Sequence, residues 1–259
     1  MKIVVIGGSG LVGEKLVGRL RQGDDSVVKA SPTHGVDTIT GEGLDQALQG
    51  ADVVVDVSNS PSLEGSAATH FFEASSQRLL AAGLAAGVRH HIALSVVGTD
   101  RLQSSGYFRG KRIQEDLIKA SGIPFSVLRS TQFFEFIAGV VQDGREDYVA
   151  LSPALVQPIS AMEVAGALAD LATGEALNDT IELAGPDRFR LPDLATEVLT
   201  AYEDDRRVME DPHALYSGVE VSQQSLLPGQ GARIGALRFD DWLRQTLQPA
   251  PSPQGSGAG

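Results

Sequence analysis

The stretch Lys2-Ile3-Val4-Val5-Ile6-Gly7-Gly8-Ser9-Gly10-Leu11-Val12-Gly13 constrains the fold of this chain more than any other. A β-branched apolar run does not continue through so many glycines, so the strand ends at Ile6. Beyond the glycines, Leu11, Leu16, Val17 and Leu20 share one face of a helix. A strand that turns on glycines directly into a helix is the opening of a dinucleotide-binding unit. In that reading Gly7 permits the tight turn, Gly10 lets a pyrophosphate approach the backbone, and Gly13 lets helix pack on strand. The free N–H groups at Leu11, Val12 and Gly13 and the positive end of the helix face the phosphates. Ser9 adds a hydroxyl. The bland alternative is a flexible turn.

The rest of the chain repeats the alternation. Short apolar runs at Val27–Ala30, Asp52–Val57, His91–Val97 and Pro124–Leu128 are separated by helical patterns at Leu44–Leu48, Ala67–Ala86 and Arg109–Ser121. Gly87 is placed to cap the third of the chain's helices. Strands without strict alternation are covered on both faces, which predicts an α/β, Rossmann-type, doubly wound parallel sheet. The expected division is a nucleotide-binding core over 1–130 and a smaller C-terminal substrate-covering region over 131–248, interleaved with the core. That region carries helices at Ala161–Ala172, Pro192–Tyr202 and Phe239–Leu247 and a strand at Thr180–Leu183. The Pro/Gly/Ser-rich 249–259 reads as a disordered tail.

Composition removes several classes of function. A net charge of −12 with no Lys/Arg-rich run argues against a nucleic-acid partner. The chain has no cysteine, so disulfides, thiolate metal sites and cysteine nucleophiles are excluded. The five histidines show no metal-ligand spacing, and His90-His91 reads as a strand entry. Glu203-Asp204-Asp205 reads as a solvated loop. Neither a signal peptide nor an apolar run long enough for a membrane helix is present, and a cytoplasmic location fits.

A second constellation lies in Ser-Gly-Tyr-Phe-Arg-Gly-Lys, where Tyr107 and Lys111 stand four apart on one helix face. Ser95 sits at a strand's C-terminal end, where open α/β sheets present ligands. With the Gly7, Gly10, Gly13 spacing, this order resembles the short-chain dehydrogenase/reductase superfamily, most closely its atypical, NmrA-like branch, up to about residue 247. The resemblance implies that Tyr107 handles the proton, with a lysine cation pulling its phenol toward working pH. It implies that Lys111 also holds the nicotinamide-ribose hydroxyls and that Ser95 orients the substrate oxygen. Tyr107 could instead cover the cofactor, and Ser95 could simply satisfy a backbone group. Gly106 is expected just ahead of the helix, where it would loosen the Tyr107 segment.

The end of the second strand, Lys29-Ala30-Ser31-Pro32, has no carboxylate to repel a 2′-phosphate. Ser31, with a cation at Lys29 or His34, leans the cofactor to NADP over NAD, although Lys29 could equally be a solvated strand residue. Glu42 falls where relatives hold the adenine. Ser58 and Asn59 are expected beside the diphosphate and ribose. Thr131, Gln132, Phe133 and Phe136 are expected around the nicotinamide and substrate, with at least one of Phe133, Phe134 and Phe136 in the core. The leading expectation is an NADPH-dependent reductase of a small carbonyl or quinone-like molecule. The alternatives are an NADP(H)-sensing regulator and an epimerase or isomerase that uses the nucleotide transiently.

Overall fold

The computed structural model describes residues 1–62, 65–143 and 147–247. The segment 249–259, expected to be a disordered tail, lies outside the described residues. The strands are β1 (Lys2–Ile6), β2 (Ser26–Ala30), β3 (Val53–Asp56), β4 (His90–Val96), β5 (Phe125–Ser130), β6 (Tyr148–Leu151), β7 (Leu155–Val156), β8 (Asp179–Ala184), β9 (Phe189–Arg190), β10 (Arg207–Glu210) and β11 (Arg233–Ile234). The helices are α1 (Leu11–Leu20), α2 (Leu44–Leu48), α3 (Gly65–Ala86), α4 (Gly106–Ala120), α5 (Phe134–Asp143), α6 (Ala161–Thr173), α7 (Leu191–Ala201) and α8 (Phe239–Leu247). Seven strands form one sheet in the order β11-β8-β5-β4-β3-β1-β2, every pair parallel.

Alternation along β1 explains the layering. Ile3 and Val5 point to one face and pack with Leu16 and Val17 of α1 and Val164 and Leu168 of α6. Val4 and Ile6 point to the other, against Leu44 and Leu48 of α2, Leu79 and Leu80 of α3 and Ile118 of α4. With both faces covered, no polar alternation is left to see in the sequence. The chain reverses direction across the sheet between β1 and β3, and ligands in such folds sit outside the strand ends at that point. Residues beyond 131 return to the sheet as α6, β8 and β11. They also build a second apolar cluster from α5, α7 and α8, centred on Phe134, Leu194, Val198, Phe239 and Trp242. No described helix is long and apolar enough to cross a membrane.

The strand entry at His90-His91 carries a consequence for stability. Both side chains are buried, and His90 Nε2 lies 2.9 Å from Ser126 Oγ. Burial drives the His91 imidazole down to about 4, against a partial upward pull from the Asp56 carboxylate. Below pH 6.5 the unfolded chain therefore takes up a proton that the folded one refuses until about pH 4. Stability is expected to fall across that window by about 3 kcal/mol. Urea midpoints measured from neutral pH down to about pH 5 should drop in the native protein, and His91→Gln should remove most of the slope. An unchanged slope in the variant would show that other groups dominate.

Candidate active site

A cavity of about 950 Å³ runs along the C-terminal ends of β1, β3, β4 and β5. Its floor begins at the glycine turn. Gly7 has φ +77°, and a Cβ there would lie 2.7 Å from Ser58 N, so the β1 and β3 loops touch backbone to backbone. A Cβ on Gly13 would lie 2.2 Å from Gly7 O. Gly10 N donates to Gly7 O at 3.0 Å, which closes the turn. No side chain caps α1 at Gly10, so its first-turn N–H groups remain free for an anion. Ser9, Gly10, Leu11 and Val12 all line the cavity, together with Ser58, Asn59 and Pro61. Ser58 Oγ is buried without a hydrogen-bond partner among the described residues. A cradle that only glycine can form, with free amides and an orphaned hydroxyl, fits the diphosphate of a dinucleotide.

One end of the cavity is walled by Ser31, Pro32, Val36, Asp37, Thr38 and Ile39. Ser31 Oγ is 2.7 Å from His34 Nδ1, so these two residues lie together as expected. Lys29 does not. Its Nζ pairs with Glu14 Oε1 at 3.0 Å, and it does not line the cavity. Glu42 is exposed and also outside the lining, whereas residues 36–39 are in it. The turn at Asp37, whose Oδ1 accepts from Ile39 N at 2.6 Å, aims 36–39 inward and Glu42 outward. The wall at this end is therefore Val36–Ile39 rather than Glu42.

The other end is built by α4, which starts at Gly106 rather than Arg109. A Cβ on Gly106 would lie 1.8 Å from Gly65 O, so this glycine seats α4 against α3 instead of loosening it. Tyr107 and Lys111 are both helical and both line the cavity. Lys111 is 4% exposed. Its Nζ donates to Leu94 O at 2.9 Å and to Gln114 Oε1 at 3.1 Å, and it lies 4.3 Å from the Phe72 ring centroid. Gln114 Nε2 in turn donates to Asp56 Oδ2 at 2.9 Å. Burial lowers the Lys111 ammonium to about 8, with Asp56 and Glu115 pulling upward.

Burial also pushes the Tyr107 phenol up to about 12, which overturns the expectation of a lysine-lowered value. Desolvation is the whole cause, and no neighbouring charge, that of Lys111 included, offsets the loss of water around a phenolate. Ser95 is 3% exposed and lines the cavity, but its hydroxyl donates to Glu115 Oε1 at 2.6 Å. Glu115 is fully buried and takes both a 2.8 Å and a 2.7 Å bond from the Arg129 guanidinium. Thr131, Gln132, Phe133 and Phe136 line the same end, while Phe134 belongs to the core beside Phe239 and Trp242. Tyr216 completes this wall from the segment after β10.

Gln114, Glu115, Asp56 and Tyr216 escaped the sequence reading. Gln114 and Glu115 follow Lys111 at i+3 and i+4, a signal that helix periodicity offers for the asking. Asp56 and Tyr216 arrive from distant parts of the chain, and no local pattern marks them.

No protein-family model matches the chain. A curated (4-alkanoyl-5-oxo-2,5-dihydrofuran-3-yl)methyl phosphate reductase of Streptomyces griseus is 31% identical over 144 residues, covering 51% of this chain and 48% of the relative. The chain thus spans about half the length of that curated relative. The solved structure of MoeE5 in complex with UDP-glucose and NAD aligns with a TM-score of 0.73 at 17% identity, over 96% of this chain and 100% of that one. A dTDP-4-dehydrorhamnose reductase of Bacillus anthracis in complex with NADP reaches 0.70 at 12% identity, over 94% and 96%. At such identities the likeness is one of fold. The chain has the Rossmann-type fold that these nucleotide-binding proteins share.

Proposed function

We propose that the chain is a cytoplasmic NADPH-dependent reductase of the short-chain dehydrogenase/reductase type, NmrA-like, acting on a small carbonyl or quinone-like molecule. The observation that carries the reading is one continuous cavity joining the glycine cradle to the half-buried Tyr107 and the buried Lys111. The 1–130 core holds the nucleotide, and residues 131–248 supply most of the substrate walls. NADP is favoured because the residue ending β2 is followed by Ser31 rather than a carboxylate. The nearby Asp37 spends its Oδ1 on the amides of Ile39 and Thr40. The reductase of the curated relative and the NADP complex of the structural neighbour support the same choice.

Ser9, Gly10, Leu11 and Val12 would hold the diphosphate, with Ser58 and Asn59 alongside. When bound, the dihydronicotinamide supplies the hydride. The protein supplies the proton and the geometry. A phenol pushed up to about 12 stays protonated at neutral pH, which suits Tyr107 as a donor to a forming alkoxide rather than as a base. Lys111 would hold the ribose hydroxyls. Asp56 and Glu115 are the titratable groups whose charges act on it. The single observation favouring a sensor is the commitment of the Ser95 proton to Glu115, which leaves the substrate oxygen one donor short.

The test is oxidation of NADPH with a panel of ketones and quinones. Turnover supports the enzyme, and tight NADPH binding with no turnover across the panel supports the sensor. In the enzyme, Lys111 loses its proton above about pH 8, so kcat/KM should fall as pH rises through that value. Lys111→Met should lower activity throughout and flatten that limb. An alkaline limb retained in the variant would assign it to another group.

A further inference from the structure

Gln132 follows β5 and is 5% exposed, yet among the described residues neither its Oε1 nor its Nε2 reaches a hydrogen-bond partner. Thr131 Oγ1, on a residue 1% exposed, is likewise unpartnered. Burying a carboxamide without partners is costly, and an apolar residue of the same size would avoid that cost. Such a group in a cavity wall is arranged for a ligand. The carboxamide is near enough to the Tyr216 hydroxyl to favour its phenolate slightly, but the two form no hydrogen bond of normal geometry. Tyr216 in turn faces Tyr107, so Gln132 belongs to the aromatic end, away from the glycine turn. The molecule it meets is the one that Tyr107 would protonate.

The charges at this end narrow the ligand further. Among the described residues, the charged side chains lining the cavity are Asp37, Lys111 and Glu135. The Lys111 ammonium is already bound by Leu94 O and Gln114. Asp37 lies at the Ser31 end, and Glu135 is an acid whose Oε2 accepts from Ala161 N at 3.2 Å. An anionic substrate would find no free cation and one carboxylate. Phe71, Tyr107, Phe133, Phe136 and Tyr216 offer ring surfaces instead.

Resting on the reductase reading above, we propose that Gln132 determines substrate specificity, and that the substrate is a flat, uncharged ketone or quinone carrying a hydrogen-bond acceptor and donor side by side. A lactam or a hydroxy-carbonyl has this pattern, with its acceptor on Gln132 Nε2 and its donor on Oε1. The phosphate-bearing substrate named for the curated relative does not. In the reaction a hydride forms a C–H bond at the ketone carbon while the C=O π bond breaks toward oxygen. That oxygen takes the Tyr107 proton, NADPH becomes NADP⁺, and the amide-like group is untouched.

Isatin, N-methylisatin and a sulfonated isatin probe this directly, since methylation removes only the donor and sulfonation adds only the anion. The native protein should prefer isatin to N-methylisatin in kcat/KM by roughly tenfold, one neutral hydrogen bond plus the penalty of an unmet partner. The sulfonated compound should be turned over least. Gln132→Met should erase the preference between the first two while leaving the NADPH dissociation constant unchanged. No preference in the native protein, a preference that survives in Gln132→Met, or turnover of the sulfonate equal to that of isatin would each overturn the proposal. If none of the three compounds oxidises NADPH, the reductase reading fails separately. Calorimetric titration of isatin and N-methylisatin into the NADP⁺-saturated protein then still decides the role of Gln132.

Discussion

Gly13→Ala is expected to weaken NADPH binding by ~100-fold or more and to destabilise the fold by about 1–3 kcal/mol. The added Cβ would lie 2.2 Å from Gly7 O and 2.7 Å from Gly8 Cα, and both are backbone atoms of the turn itself. No flexible side chain can swing aside, so the turn must open, and with it the cradle for the diphosphate. Gly18 provides the control on the same helix. It is exposed, and a Cβ there meets nothing within 4 Å. Gly18→Ala should therefore stabilise by up to about 1 kcal/mol through helix propensity alone, and should bind NADPH as the native protein does. Nucleotide fluorescence titrations and thermal unfolding of both variants separate the two effects. NADPH binding by Gly13→Ala within a few-fold of native would remove the glycine turn from the nucleotide site.

Tyr107→Phe is expected to lower kcat for ketones by about 10²–10⁴, the usual contribution of a positioned proton donor. Quinones should lose less, because a hydroquinone anion is a weaker base than an alkoxide and can leave the site without waiting for Tyr107. The variant should otherwise behave as native. Among the described residues no hydrogen bond holds the Tyr107 hydroxyl, so its removal strands no partner. The ring contacts with Phe72 and Phe108, at 5.7 Å and 5.6 Å, remain. NADPH affinity and thermal stability should stay close to native, which assigns a loss of kcat to chemistry rather than folding. Ketone turnover equal to native would exclude Tyr107 as the donor and turn attention to Tyr216, the second phenol facing the site.

Much of the sheet was legible because its determinants are local. β-branched runs bounded by glycine or polar residues marked the strands β1 to β5, and 3.6-residue periodicity marked α1, α3, α4, α6, α7 and α8. The helix α5 was missed because Phe133, Phe134 and Phe136 read as a cavity wall. The structure divides them, sending Phe134 into the cluster with Phe239 and Trp242 and leaving Phe136 37% exposed at the cavity. The short strands β6, β7, β9, β10 and β11 were missed for a different reason. Runs of two to four residues carry no period to detect, and each exists only through its neighbour in space.

The start of α4 was misplaced because glycine is a poor helix former. Gly106 is helical all the same, since α3 passes so close at Gly65 that no side chain fits between the two helices. Lys29 was left open between a cation for a phosphate and a solvated strand residue, because its partner Glu14 lies fifteen positions away in sequence, on the neighbouring helix.

The sequence by itself determined the αβ alternation, the glycine turn and the presence of Tyr107 and Lys111 on one helix face. Each of these depends on spacings of a few residues, which backbone geometry converts directly into direction. Only the tertiary structure decided the electrostatic state of that face. Whether the Lys111 ammonium lowers the Tyr107 phenol depends on what else surrounds it. Here Lys111 donates to Leu94 O and to Gln114, which in turn donates to Asp56, while burial removes water from Tyr107. Those partners lie on β3, β4 and α4, elements far apart in the chain that meet only when the sheet is assembled. Desolvation is a property of that assembled surrounding, and no residue carries it alone.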